Sequence, residues 1–198
     1  MNSIVMKFME KKFKKLGYSV YQFNYRTVKY SDKTLEQLDS LVKTIDSDKL
    51  HIVGHSMGGL VARMYVDSYR DESHKNISIV TVGTPHHTSR LGIYLNNSII
   101  GKILGSSGHS GIVRKLPDWK NKVPMGCIAG VFPIGVNVLF KGVECNSASD
   151  GTVFLDEAIL DNCNDSLVIK SSHTGLIYSK KVVDQCHYFF QHEKFNKN

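Results

Sequence analysis

No stretch of about 18 consecutive apolar residues occurs in this chain, so it offers no membrane-spanning helix. The first residues carry no apolar core followed by a small-residue cleavage site. A secretory leader is therefore not expected in the residues present, and a cytoplasmic location is the default. The four cysteines, Cys127, Cys145, Cys163 and Cys186, include no C-x-x-C pair, which argues against zinc. Reduced thiols are expected, with Cys127 buried in an apolar run; Cys145 and Cys163 lie in loop-like stretches and could pair only in an exported protein. There is no internal repeat and no low-complexity segment. The formal net charge is +7, yet no aromatic-and-basic ladder or nucleic-acid motif accompanies it, so nucleic acid is not an expected partner. The densest basic cluster, Lys11-Lys12-Phe13-Lys14-Lys15, reads as a solvated helix face. Loose peripheral contact with an anionic membrane surface is the alternative.

What remains is an ordinary globular composition of 198 residues, 41% hydrophobic and 22% charged, enough for one domain over 1–198 with a buried core. Periodicity and breakers predict an amphipathic helix over Ser3–Leu16, with Val5, Met9, Phe13 and Leu16 on one stripe and Gly17 stopping it. Tyr18–Tyr25, rich in β-branched and aromatic residues, reads as a strand. A helix is expected from about Thr34 to Ile45, with Thr34 and Gln37 as a capping box. Strands follow at Leu50–Val53, Asn76–Gly83, Val123–Val131 and Ser166–Lys170. Further helices are expected at Met57–Tyr69 and Leu176–Phe190; Thr88–Asn121 has no strong period, though Leu91–Leu104 could form one short helix before a glycine/serine loop at Gly105–Gly111. This alternation predicts an α/β protein with a mainly parallel sheet and helices on both faces. Ligands of such sheets bind beyond the carboxyl ends of the strands.

One stretch at such an end carries chemistry. Leu50 to Val53 runs into Gly54-His55-Ser56-Met57-Gly58-Gly59, a G-x-S-x-G pattern between an apolar strand and an apolar-periodic helix. A serine on so sharp a turn exposes its Oγ above the sheet, and the flanking glycines permit close backbone approach. The Met57 N–H at the helix start points to where an oxyanion would form.

A serine hydroxyl needs a neutral histidine as base and a carboxylate to orient it. In this arrangement they follow the serine in the order acid, then histidine, each on a loop after a later strand. His173, in Ser171-Ser172-His173-Thr174-Gly175-Leu176, lies directly after the last strand. Of nine histidines, His187 and His192 fall in or after the terminal helix and His74 is in a loop far from a strand end. For the acid, Asp150 in Ser149-Asp150-Gly151-Thr152-Val153 has the required order, with Asp156 next and Glu157, Asp161 and Asp165 as further competitors. Asp161-Asn162-Cys163-Asn164-Asp165 lacks EF-hand spacing and reads as a turn. No metal and no organic cofactor is expected.

Gly54-His55-Ser56-Met57-Gly58-Gly59, Val82-Gly83-Thr84-Pro85-His86, Ser149-Asp150-Gly151-Thr152-Val153 and His173-Thr174-Gly175-Leu176 together resemble the bacterial lipase/esterase branch of the α/β-hydrolase superfamily. The resemblance runs across most of the chain. It implies a minimal α/β-hydrolase fold with a short lid-like insert over about 88–121, whose Ile93, Leu95, Ile99, Ile100, Ile103 and Leu104 suit an acyl chain or plain packing equally. It implies Ser56, Asp150 and His173 as a catalytic triad, a small-molecule ester or lipid substrate, and His86 at most supporting from behind, since His87-Thr88-Ser89 departs from the family pattern. The chain also departs by lacking an apolar strand ending in His-Gly, which would lie between the strands at Tyr18–Tyr25 and Leu50–Val53 and supply the second oxyanion N–H. An N-terminally shortened form is the expectation, with those two strands either pairing directly or leaving a gap. The expected activity is carboxylic ester hydrolysis. An acyltransferase or amidase on the same triad, or a catalytically impaired lipid- or partner-binding remnant, stays open.

Overall fold

The computed structural model describes residues 3–25, 32–69, 76–87, 89–90, 92–93, 118–120, 123–134 and 147–197. A 3-10 turn, Ser3–Met6, leads into α1 (Lys7–Lys15), followed by α2 (Asp32–Lys43), β1 (Lys49–His55), α3 (Met57–Tyr69), β2 (Asn76–Val82) and β3 (Met125–Gly130). Then come α4 (Leu155–Ala158), β4 (Asp165–Ile169), α5 (His173–Ile177) and α6 (Lys180–His192). The four strands form one parallel sheet in the order β1-β2-β3-β4. Lys49 pairs with Asn76, Ile79 with Met125, and Gly126 with Asp165.

The core lies on both faces of this sheet. Ile77 and Ile79 of β2 and Met125 and Cys127 of β3 pack against α2 and α3 through Leu35, Leu38, Val61 and Tyr65. Val80 and Val82 of β2 and Ile128 of β3 point the other way, to Met9 and Phe13 of α1 and Val182, Cys186 and Phe189 of α6. The period of two along β2 thus feeds two cores. At about 1.5–3 kcal/mol for each fully buried aliphatic side chain, β2 alone contributes several such increments. The parallel sheet with helices on both faces is the expected one.

Local signals account for most boundaries. Gly17, at φ +89°, ends α1 in a Schellman arrangement. Its N–H donates to the Lys14 carbonyl at 3.1 Å, and the Tyr18 N–H donates to the Phe13 carbonyl at 3.1 Å. Leu16, expected on the buried stripe, is 41% exposed because the chain leaves the helix there. The capping box at Thr34 and Gln37 is not formed: α2 begins two residues earlier, at Asp32, and Thr34 is buried inside its first turn. The terminal helix is two helices. The Ser179 hydroxyl caps α6 by accepting from the Val182 N–H at 3.3 Å, and this cap separates α5 from α6.

Tyr18–Tyr25 is not a strand. It is extended and alternates as a strand would, with Tyr18 and Val20 packed on the α1/α6 core and Phe23 and Tyr25 on the α2/α3 core. A strand also requires a hydrogen-bonded neighbour, and β1 is laddered to β2 alone among the described residues. Of the two expected outcomes for this edge, direct pairing is not observed. Of the expected lid-like insert at about 88–121, residues 88, 91, 94–117 and 121 lie outside the described residues; so do the 105–111 loop and, elsewhere in the chain, Cys145. Cys127 is fully buried as a free thiol, as expected, and 161–164 form a turn.

Candidate active site

β1 ends at His55 and α3 starts at Met57, so Ser56 alone turns the chain from strand to helix. It does so at φ +54°, in the left-handed region that a residue with a Cβ occupies at a cost of about 1–3 kcal/mol. Its surroundings hold it there. The Ser56 N–H donates to the Val82 carbonyl at 3.0 Å, and the Ser56 carbonyl accepts from the Gly59 N–H at 3.1 Å. A Cβ on Gly54 would lie 2.5 Å from the Gly59 Cα and N, and one on Gly59 would collide with the Thr84 side chain. Gly59 lies outside the G-x-S-x-G pattern, yet the turn depends on it equally. Met57, the first residue of α3, is buried.

Asp150 and His173 meet. The His173 Nδ1–H donates to Asp150 Oδ2 at 2.8 Å, and the His173 main-chain N–H donates to the Asp150 carbonyl at 2.9 Å. The other carboxylate oxygen, Oδ1, accepts from the Thr152 and Val153 N–H groups at 2.9 and 2.8 Å. The Asp150 side chain is 1% exposed and that of His173 13%. A neutral imidazole whose Nδ1–H is donated in this way keeps its lone pair on Nε2. His173 is not in an open loop: it opens α5, and Ser172 caps that helix by accepting from the Gly175 N–H at 3.3 Å.

The ends of β2 and β3 join these parts. Gly83, directly after Val82, has φ +56°, and a Cβ there would stand 3.1 Å from Asp150 Oδ2 and 3.2 Å from His173 Nδ1. Residues 82–83 therefore hold the Ser56 backbone on one side and border the Asp150–His173 pair on the other. Gly130 ends β3 where a Cβ would meet the Ser171 carbonyl at 2.6 Å and the Asp150 Cβ at 2.8 Å. The requirement at both positions comes from strand packing and is invisible as a local pattern.

The competitors are engaged elsewhere. Asp156 forms an ion pair with Arg90, and the Arg90 hydrogen bond holds its carboxyl below the usual range. Glu157 is buried and accepts from the Arg90 main-chain N–H at 2.8 Å; burial pushes its pKa up. His86 is buried with its Nε2 2.9 Å from Thr81 Oγ1 and 3.8 Å from Cys127 Sγ. His187 bonds Tyr18 across α6, Nδ1 to Oη at 2.8 Å. His55, which the motif leaves as an arbitrary residue, is the feature pattern reading missed. Its Nε2 lies 3.1 Å from the His173 carbonyl and its ring centroid 4.6 Å from that of His173. Burial pushes its pKa down to about 4. Among the described residues, no three His, Cys, Asp or Glu side chains gather as metal ligands would.

Comparison with known proteins agrees with this architecture. A PGAP1-like alpha/beta domain model matches residues 6–98. The mature form of the Bacillus licheniformis lipase BlEst2 superposes with a TM-score of 0.55 at 21% identity, covering 81% of this chain and 70% of that one. Its propeptide form gives 0.54 at 21%, covering 84% and 39%. Triacylglycerol lipase 2 of Saccharomyces cerevisiae is 36% identical over 63 residues, which is 30% of this chain and 19% of the yeast protein's length. The chain is an α/β-hydrolase-fold protein. That fold is shared with the Bacillus licheniformis lipase.

Proposed function

We propose that this chain is a serine hydrolase of lipase/esterase type, acting on carboxylic esters of small molecules or lipids. The observation that carries the reading is the buried Asp150–His173 hydrogen bond, set against the strand end that also holds the strained Ser56. In this mechanism His173 Nε2 takes the Ser56 hydroxyl proton as Oγ attacks the ester carbonyl. The Met57 N–H, at the start of α3, donates to the oxyanion. Asp150 steadies the imidazolium. His173 then gives its proton to the departing alcohol, leaving an acyl group on Ser56. Water, deprotonated by His173, attacks this ester; on collapse the His173 imidazolium returns that proton to the departing Ser56 Oγ, which releases the acid and restores both residues.

The test is hydrolysis of nitrophenyl esters of increasing acyl length by the protein and by Ser56→Ala. Turnover that falls about 10⁴-fold or more in the variant is expected. A rate shared by both proteins would refute the assignment and favour a catalytically impaired binding fold. A short-acyl optimum would place the chain with esterases rather than lipases, and transfer of the acyl group to added alcohol or amine in preference to water would make it an acyltransferase.

A further inference from the structure

Histidine at position 55 is chemically costly where it stands. The residue is 5% exposed, and its Nδ1 is buried without a hydrogen-bond partner among the described residues. A buried nitrogen left so is destabilising, a cost that an aliphatic side chain of similar volume would avoid. Nothing in the strand-to-helix turn demands an imidazole; the turn's close contacts are made by Gly54 and Gly59. The other ring nitrogen explains the residue. Its partner, the His173 carbonyl at 3.1 Å, is an acceptor only, so Nε2 must carry the proton and donate. The rings of His55 and His173 lie 4.6 Å apart at 44°, so His55 also covers one face of His173.

His173 is thereby gripped at three points. Asp150 takes its side-chain Nδ1–H and its main-chain N–H, and His55 takes its carbonyl. We propose that His55 is a positioning residue: a neutral imidazole, fixed to the nucleophile turn, that ties the His173 backbone to Ser56's own neighbour and so sets the reach of the base to the nucleophile. Adjacent in sequence to Ser56, it makes serine and histidine move as one unit. Burial, which holds its pKa near 4, keeps it a neutral donor at neutral pH and stops it competing as a base.

The inference rests on the hydrolase reading for its kinetic consequence and on geometry alone for its structural one, so two measurements separate them. His55→Leu fills the space without a donor; His55→Gln restores an N–H at similar reach. With nitrophenyl esters, His55→Leu is expected to lower kcat about 10- to 100-fold with KM changed by about twofold at most, and His55→Gln to recover most of that loss. The second readout needs no turnover: the downfield proton resonance of His173 Nδ1–H bonded to Asp150. It should broaden or vanish in His55→Leu and persist in His55→Gln. If His55→Leu does not fold, nitrogen-15 spectra of the wild-type protein decide: protonated Nε2 with bare Nδ1 on His55 supports the assignment, and the opposite tautomer overturns it. Unchanged kcat and an unchanged resonance in His55→Leu, or equal impairment in both variants, would also overturn it. Equal ester hydrolysis by wild type and Ser56→Ala would remove the hydrolase reading alone, with the resonance still reporting on His55.

Discussion

Ser56 occupies the left-handed region because one residue must reverse the chain between β1 and α3, and Gly54 and Gly59 make room for it. Gly54→Ala should destabilise the fold by about 3 kcal/mol or more, since the added methyl would lie 2.5 Å from backbone atoms that cannot rotate away; urea unfolding measures this. His55 supplies a second residue-level expectation. Its folded pKa is depressed to about 4 from an ordinary 6.5, by burial first and by the neighbouring His173 charge second, with Asp150 opposing. The unfolded chain therefore binds the proton more tightly. The contribution is fully present above about pH 6.5 and is lost as pH falls through the folded value, about 3 kcal/mol in all. Stability of the wild-type protein should fall between pH 6.5 and 4. His55→Gln should lack that portion of the slope; an identical slope in both would contradict it. At this scale the sequence pattern displayed Ser56, Asp150 and His173 through their order and flanking residues. It could not display His55, Gly83 or Gly130, whose constraints arise from neighbours 20 to 118 positions away.

Elements were legible where a local signal and a tertiary need coincide. The apolar periods of α2 and α3 and the β-branched runs of β1 and β2 each match the face they bury. Tyr18–Tyr25 shows the opposite case: its composition and alternation specify an extended backbone with two packed faces, and only a hydrogen-bonded neighbour would make it a strand. The split between α5 and α6 was likewise obscured, because Ile177 and Val182 continue an apolar period across the break while Ser179 caps the second helix. Ser179→Ala should cost about 1 kcal/mol in thermal or urea unfolding through loss of the bond to the Val182 N–H, with ester hydrolysis unaffected.

For the molecule as a whole, the parallel sheet gathers groups distant in sequence at the carboxyl end of its strands. Ser56 follows β1, Gly83 follows β2, Asp150 lies beyond β3 and His173 beyond β4. That is where a parallel α/β sheet presents its ligand site, because every strand ends on the same side. The chain's alternation of strands and helices implied this placement, and the two buried cores, one on each face, hold it. The charge of +7 has no comparable role in the fold; exposed lysines of α1 carry part of it. The proposed mechanism makes Ser56 a nucleophile driven by His173. Intact-protein and peptide mass spectrometry after reaction with a fluorophosphonate tests it most directly. One adduct on Ser56 is expected, formed far more slowly in His173→Ala and absent in Ser56→Ala; no adduct, or an adduct on another residue at an equal rate in all three proteins, would contradict it.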